Sequence, residues 1–224
     1  MSLFCLVHGS TQNAAGWGLL VPELERRGHR VVCAELPTDE PQADTRRYAD
    51  AVLAAIPETS EDVLVVGHSG GGYLLPLVAA QRALRRIVFL AAMLPQMGKS
   101  FLDQLRDDPT IFNPEWIGKD PSRDDAAAMY FLFHDCSGEV AKWALTTRIR
   151  LPLEKMASEV YPLQRWPAVA SSYIVCSEDR TINPEWSRRA GRERLGVDPI
   201  EFPAGHCPHI SQPQKLAKIL SDLT

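Results

Sequence analysis

The chain has 224 residues, which is the length of one compact domain and short for two. Hydrophobic residues make up 45% and charged residues 23%, which excludes a disordered chain and predicts a packed core. The net charge is −4, from 24 Lys and Arg against 28 Asp and Glu, without the basic excess that a nucleic-acid binder needs. We therefore expect no nucleic-acid partner.

Membrane spans and export signals are not expected either. The longest apolar run, residues 87–94, is far shorter than the roughly 18 to 20 residues of a membrane span. The run up to Val7 lacks a basic leader and a cleavage site, so we interpret it as a first strand. The five cysteines are widely spaced without a CxxC pair, which favours neither disulfides nor a zinc site. These features predict a protein of the reducing cytoplasm.

Short apolar runs alternate with stretches of helical period along most of the chain. Runs rich in Val, Ile, Leu and Phe predict buried strands at residues 3–7, 30–34, 63–67, 86–91, 171–176 and 199–202. Amphipathic stretches predict helices at 17–27, 45–56, 73–82, 184–195 and 212–223. This alternation predicts one α/β domain with a mainly parallel sheet and helices on both faces.

Residues 93–169 interrupt the alternation. They contain no convincing strand, only proline-punctuated helical segments such as 124–134 and 139–150. Their aromatic content is too large for a loop: Phe101, Phe112, Trp116, Tyr130, Phe131, Phe133, Trp143 and Trp166. We expect a helical cap inserted into a core of residues 1–92 and 170–224. Extra helices packed at an edge of the sheet are the alternative.

The motif GxSxG occurs at Gly67–Gly71, directly after a predicted strand and before a helical stretch. In that context the turn is sharp, the serine backbone is strained, and glycines beside it avoid collisions. Ser69 would lie at a helix N-terminus, where the dipole and free N–H groups favour a developing anion. Ser69 is the predicted nucleophile. An N-capping serine in a glycine-rich turn is the alternative.

Six segments distributed from end to end carry a family resemblance: residues 6–9, 65–71, 89–92, 176–179, 205–206 and 212–216. In these segments the chain resembles the α/β-hydrolases, and among them the small hydrolases that include plant salicylate-type methyl esterases and hydroxynitrile lyases. Only residues 93–169 match poorly. The resemblance implies the α/β-hydrolase fold, catalytic residues in the chain order serine, acid, histidine, and no cofactor.

The base is expected at His206, which follows the last predicted strand through a short loop and occupies the family's position for the histidine. His209 is the alternative base or a pocket residue. His68 lies between Gly67 and Ser69 in the GxSxG motif, and its side chain should point away from the serine oxygen. A metal cluster of His206, Cys207 and His209 is a further alternative, although no other ligand stands out.

The acid is expected just after the strand at 171–176. Asp179 and Glu178 both lie in that turn, and the position in the family motif favours Asp179. Some relatives take the acid from the strand before the cap, but residues 89–95 contain no carboxylate. Asp179 would orient the histidine that accepts the proton of the serine.

The oxyanion hole needs backbone N–H donors from the residue after the nucleophile and from the loop after the first strand, here Gly70 and Ser10. That loop is longer than in the plant enzymes. Its residues Thr11 and Trp17, together with His209, are the predicted substrate-pocket residues. Met93, Met97, Met129 and Met156 favour an apolar pocket, although packing of the cap would need them as well.

These residues predict a serine hydrolase that cleaves a small carboxylic ester, with a methyl ester or a lactone as candidates, through an acyl-enzyme. The expected partner is a small-molecule ester, without metal or cofactor, and a homodimer is left open. Two alternatives remain. One is a receptor-like, non-hydrolytic ligand binder. The other is a hydroxynitrile lyase, which is disfavoured because Cys207 stands where those relatives carry a lysine.

Overall fold

The computed structural model describes residues 1–224. Its centre is a six-stranded sheet in which all neighbouring strands are parallel, in the order β2-β1-β3-β4-β5-β6. The strands are β1 (Ser2–Val7), β2 (Arg30–Ala34), β3 (Asp62–His68), β4 (Arg86–Leu90), β5 (Ser171–Cys176) and β6 (Ile200–Phe202). Each predicted strand is present, and its bounds differ by at most one residue from the prediction. Their continuous apolar composition follows from burial on both faces of the sheet.

Ten α-helices surround the sheet. They are α1 (Val21–Glu25), α2 (Thr45–Ala55), α3 (Leu75–Gln81), α4 (Phe101–Asp107), α5 (Asp125–Phe131), α6 (Gly138–Leu145), α7 (Glu154–Ser158), α8 (Pro184–Ala190), α9 (Pro208–Ser211) and α10 (Pro213–Ser221). None of them combines the length and apolar character that a bilayer crossing requires.

Three predicted helices are divided in the structure. A 3₁₀ segment, Ala14–Leu19, precedes α1, and a second one, Ser69–Leu74, precedes α3. α1 and α3 begin shortly after these 3₁₀ segments. Pro22 and Pro76 lie in their first turns, where the N–H that proline lacks would have no partner within the helix. After α8 the chain continues as a π-helical turn, Gly191–Leu195.

Side chains that alternate along the strands form two separate cores. Leu3, Cys5 and Val7 of β1 belong to a cluster of 31 buried residues, whereas Phe4 and Leu6 belong to one of 17. Since neighbouring residues of a strand point to opposite faces, the two clusters cover the two faces of the sheet. Packed side chains therefore cover both faces of the sheet. The loops that follow the strands lie at its edges.

Between β4 and β5 the chain forms α4 to α7 and no strand of the sheet. A third cluster of nine buried residues joins α5 and α6 to Cys207 and Ile210 of the α9 region. Isolated bridges connect Ser100 to Val160 and Phe112 to Ile182. This helical segment therefore packs against the loops that follow β5 and β6.

Tight packing where β3 meets the following helix generates a prediction. A Cβ atom at Gly67 would lie 2.8 Å from backbone atoms of Gly71 and Gly72, which cannot rotate away. Gly67→Ala should lower the free energy of unfolding by about 1 to 3 kcal/mol. Gly138→Ala is the control, because a Cβ at this helical position meets nothing within 4 Å. Urea denaturation should separate the two variants, and equal midpoints would contradict the packing argument.

Candidate active site

The predicted site residues come together at one edge of the sheet. Ser10, Ser69, Asp179 and His206 follow β1, β3, β5 and β6, each within four residues of the strand end. Because all strands are parallel, their carboxyl ends share one edge, and side chains after different strands meet there.

The turn after β3 holds Ser69 in a backbone conformation that side chains rarely adopt. Its φ is 51°, in the left-handed region, and Ala91 is the only other non-glycine residue with a positive φ. The Met93 N–H donates to the Ser69 carbonyl at 2.9 Å. A Cβ on Gly71 would lie 2.5 Å from the carbonyl oxygen of His8, so glycine is required there. The turn aims the Ser69 hydroxyl away from the sheet.

Ser69, His206 and Asp179 form a continuous hydrogen-bonded array. His206 Nε2 lies 3.0 Å from Ser69 Oγ, and His206 Nδ1 lies 2.8 Å from Asp179 Oδ2. Since a carboxylate only accepts, Nδ1 carries the proton and donates it to Asp179. Nε2 is then the acceptor for the Ser69 hydroxyl. The array can deprotonate Ser69 as this oxygen attacks an electrophile.

Backbone donors fix the carboxylate of Asp179. Its Oδ1 accepts from the Thr181 N–H at 2.7 Å and from the Ile182 N–H at 3.1 Å. Asp179 is only 8% exposed, so these bonds replace its lost hydration. Glu178, the rival acid, is exposed and has no bond to His206. Its carbonyl oxygen instead lies 3.1 Å from His134 Nε2.

Two further histidines pack around His206 without joining the array. The ring of His68 is not bonded to Ser69, and its Nε2 donates to the His206 carbonyl at 2.8 Å. Burial, with the nearby His209 and His206, holds the pKa of His68 well below its ordinary value. Burial also lowers the pKa of His209 to about 3. Both rings are therefore neutral, and the ring centroid of His68 lies 4.8 Å from that of His206.

The two residues expected to supply oxyanion donors, Ser10 and Gly70, lie next to each other. Ser10 lies against Gly70, since a Cβ built on Gly70 would be 3.6 Å from the Ser10 nitrogen. The Ser10 N–H donates to no protein acceptor. Gly70 belongs to the first turn of a 3₁₀ helix, where N–H groups lack partners within the helix. The two donors are thus close to Ser69 and to each other.

A cavity of about 260 Å³ opens over Ser69, Ser10 and Gly70. Its wall contains no charged side chain, and most of its residues are apolar: Tyr73, Met93, Phe101, Leu102, Phe112, Trp116, Leu153, Met156 and Ala157. The majority come from the segment between β4 and β5. Such a cavity suits an uncharged, apolar group next to the serine.

The structure does not place the predicted pocket residues Thr11, Trp17 and His209 in this cavity. Trp17 is 1% exposed, and its ring centroid lies 4.4 Å from that of His209, so each fills space for the other. The Thr11 carbonyl accepts from the Ile149 N–H at 3.1 Å, which ties its loop to the helical segment. Position in the loop after β1, or shortly after His206, was a poor guide to the cavity wall, because side-chain direction depends on tertiary packing.

Sequence reasoning missed Tyr73 and Leu153 as lining residues. Signals for the wall did exist, because Phe101, Phe112 and Trp116 belong to the aromatic load noted above, and Met93 and Met156 are two of the four methionines. Met129, by contrast, is exposed, and Met97 packs partly buried against the larger core.

The helical segment also contacts both loops that carry the array. Asp135 Oδ2 accepts from the Gly205 N–H at 2.8 Å, immediately before His206. Arg180 stacks over the ring of Tyr130 at 4.6 Å, immediately after Asp179. These contacts restrain the positions of the acid and the histidine relative to each other.

Comparison with known proteins relates this geometry to other chains. Residues 6–219 match the family described as the alpha/beta hydrolase family. Polyneuridine aldehyde esterase of Rauvolfia serpentina is 29% identical over 99% of this chain and 95% of its own length. Salicylic acid-binding protein 2 of Nicotiana tabacum is 30% identical, over 98% and 96%. Among solved structures, polyneuridine aldehyde esterase superposes with a TM-score of 0.82 at 24% identity, over 100% of this chain and 99% of its own.

The buried, neutral His209 generates a prediction about pH. Its pKa is about 3 in the folded protein and about 6.5 when exposed, so only the unfolded chain takes up a proton as the pH falls below 6.5. Stability from this residue should therefore be lost on acidification, by up to about 1.4 kcal/mol per pH unit. His209→Phe keeps a ring against Trp17 and removes this titration. Urea denaturation between pH 7 and 4 should show a shallower pH slope for the variant, and parallel slopes would contradict the assignment.

Proposed function

The chain belongs to the alpha/beta hydrolase family, and on that premise we propose that it cleaves a small carboxylic ester through Ser69, His206 and Asp179. The resemblance predicted from the sequence is confirmed, since the relatives include a named esterase. The predicted fold class is confirmed as well. Ester-hydrolysing relatives support an enzyme of the carboxylic-ester hydrolase class.

The single observation that carries the proposal is the array in which Asp179 orients His206 and His206 accepts from Ser69. In the proposed mechanism, Ser69 Oγ attacks the ester carbonyl carbon while its proton passes to His206 Nε2. The tetrahedral intermediate then collapses, the C–O bond to the alcohol breaks, and His206 returns the proton to the leaving oxygen. An acyl-enzyme on Ser69 and a free alcohol result.

Deacylation repeats the same steps with water. His206 Nε2 accepts a proton from a water molecule, whose oxygen attacks the acyl carbon, and Ser69 leaves with that proton. The N–H groups of Ser10 and Gly70 would stabilise the oxyanion of both tetrahedral intermediates. Asp179 remains ionised throughout and stabilises the imidazolium that forms twice per turnover.

The cavity indicates the substrate's character. Its small volume and uncharged wall favour a compact, neutral acyl group, and a methyl ester or a lactone would meet these limits. We propose that residues 93–169 act as the cap over the site, because they supply most of the cavity wall. The acyl group would then be enclosed between the cap and the sheet edge.

The residue after the histidine argues against cyanohydrin cleavage. Cys207 is buried, its Sγ donates to Gln12 Oε1 at 3.4 Å, and burial raises the pKa of its thiol well above the usual range. A neutral thiol offers no positive charge to a departing cyanide ion. A receptor that only binds ligand would also have no use for an array that transfers the Ser69 proton to His206.

Ser69→Ala should abolish ester hydrolysis while preserving the fold. The change removes the nucleophile at the cavity floor and should lower kcat for p-nitrophenyl esters by at least about 10³-fold. A fluorophosphonate should label wild-type Ser69, as located by mass spectrometry of the digested protein. The control is the melting temperature, which should not fall. An adduct on another residue, or more than a tenth of wild-type turnover, would contradict covalent catalysis by Ser69.

Asp179→Asn and Glu178→Gln should have opposite outcomes. The first change removes the carboxylate that selects the Nδ1–H form of His206, and it should lower kcat by roughly 10³- to 10⁴-fold. The second is matched in chemistry but alters an exposed side chain outside the array, so kcat should stay within about twofold. Steady-state kinetics on the same ester compares them. A larger loss in Glu178→Gln would assign the acid to Glu178.

A further inference from the structure

The loop after β1, residues 9–13, is held by residues 147–151, which follow α6 in the helical segment. Three backbone hydrogen bonds connect them. The Asn13 N–H donates to Thr147 at 2.9 Å, the Ile149 N–H donates to Thr11 at 3.1 Å, and the Leu151 N–H donates to Ser10 at 3.1 Å. The last of these bonds restrains Ser10, whose N–H is the proposed oxyanion donor.

A buried side-chain network reinforces this connection. Gln12 is 2% exposed, and its Nε2 donates to Thr147 Oγ1 at 3.0 Å. The Thr147 hydroxyl is itself the donor to the Ala144 carbonyl at 2.8 Å, so it can only accept from Gln12. The amide orientation is therefore settled, and Gln12 Oε1 accepts from the Cys207 thiol. One amide thus connects the loop after β1, the helical segment and the residue beside His206.

The Gln12 amide is tightly packed and fully hydrogen-bonded. A Cβ at Gly16 would lie 3.2 Å from Gln12 Nε2, so a larger residue there would crowd the amide. All polar atoms of the Gln12 amide and the Thr147 hydroxyl have partners. A buried amide that lost one of these partners would gain no water in exchange, so the loop would shift to satisfy it.

The chain that follows residues 147–151 enters the cavity wall. Two to six residues after Leu151, the side chains of Leu153, Met156 and Ala157 line the space above Ser69. A single stretch of chain therefore contacts the proposed acyl group at one end and the loop of Ser10 at the other. Small displacements of an N–H donor are costly, because an oxyanion is stabilised only by donors at hydrogen-bond distance.

We propose that Gln12 and Thr147 are positioning residues that set the place of the Ser10 N–H in the oxyanion hole, an inference that rests on the proposed function. They touch neither the substrate nor the reacting atoms. Their contribution is to keep the loop after β1 hydrogen-bonded to residues 147–151 of the cap. Loss of the network should therefore weaken binding of the transition state more than binding of the ester.

The test compares Thr147→Val, which removes the hydroxyl at nearly constant volume, with Thr147→Ser, which keeps it. Ser172→Ala is the control, because it removes a buried hydroxyl, bonded to Arg86, at the opposite end of the sheet. For each protein, kcat and KM on one p-nitrophenyl ester are measured, together with inhibition by a trifluoromethyl ketone that forms a tetrahedral adduct on serine. Melting temperatures and amide exchange of residues 9–13 complete the set.

Thr147→Val should lower kcat about 10-fold, less than the roughly 10²- to 10³-fold that follows complete loss of an oxyanion donor. KM should stay within about twofold, and the ketone should bind about 10-fold more weakly. Thr147→Ser should restore most of the loss, and Ser172→Ala should affect only the melting temperature. If Thr147→Val does not fold, Gln12→Leu breaks the same bond from the other side and should give the same pattern.

Unchanged kcat in Thr147→Val with a lower melting temperature would overturn the inference, because the network would then be purely structural. Equal losses in Thr147→Ser or Ser172→Ala would overturn it as well. Failure of the proposed function looks different: the wild type would neither hydrolyse esters nor react with a fluorophosphonate. Amide exchange then still decides the linkage, since residues 9–13 should exchange faster in Thr147→Val, and unchanged exchange would overturn it.

Discussion

The left-handed backbone at Ser69 is the constraint on which the rest of the site depends. A non-glycine residue in this conformation costs about 1 to 3 kcal/mol and persists only where its surroundings leave no alternative. Here β3 is paired on both sides, with β1 and β4, and the Met93 N–H holds the Ser69 carbonyl from the chain beyond β4. Gly67 and Gly71 allow backbone to approach backbone more closely than any side chain permits. The strain is therefore maintained by the centre of the sheet, and it presents the hydroxyl to the cavity.

Around that serine, every polar atom of the array has an assigned partner. Two backbone N–H groups and His206 satisfy Asp179, and Asp179 in turn selects the tautomer of His206. His68 Nε2 donates to the carbonyl of His206, and burial keeps the His68 ring uncharged. A second positive ring beside His206 would oppose the imidazolium that the proposed mechanism forms. The neutral histidine pair thus fits a site in which only one imidazole gains a proton.

The segment between β4 and β5 does more than cover the cavity. It supplies most of the apolar wall, it contacts the loops of Asp179 and His206 through Arg180 and Asp135, and it pairs with the loop of Ser10. This last pairing also explains why the helix predicted over 139–150 ends at Leu145. Ile149 and Leu151 donate their backbone N–H groups to the loop after β1, and the Thr147 carbonyl accepts from that loop, instead of continuing the helix. The wall and the reactive centre are therefore parts of one connected structure.

The sequence alone determined the parts of this protein that follow from local pattern. Buried parallel strands are continuous apolar runs, so β1 to β6 were predictable to within one residue, and the glycines of GxSxG require the turn at Ser69 whatever surrounds it. The family order of segments pointed to Asp179 and His206, which the structure brings into hydrogen-bond distance of each other. Only the tertiary structure decided the cavity wall. Trp17 and His209 lie within seven residues of site residues in sequence yet pack on each other, while Tyr73 and Leu153 line the cavity. The physical reason is that a side chain's direction in a loop depends on which distant segment supplies its contacts, and no local pattern carries that information.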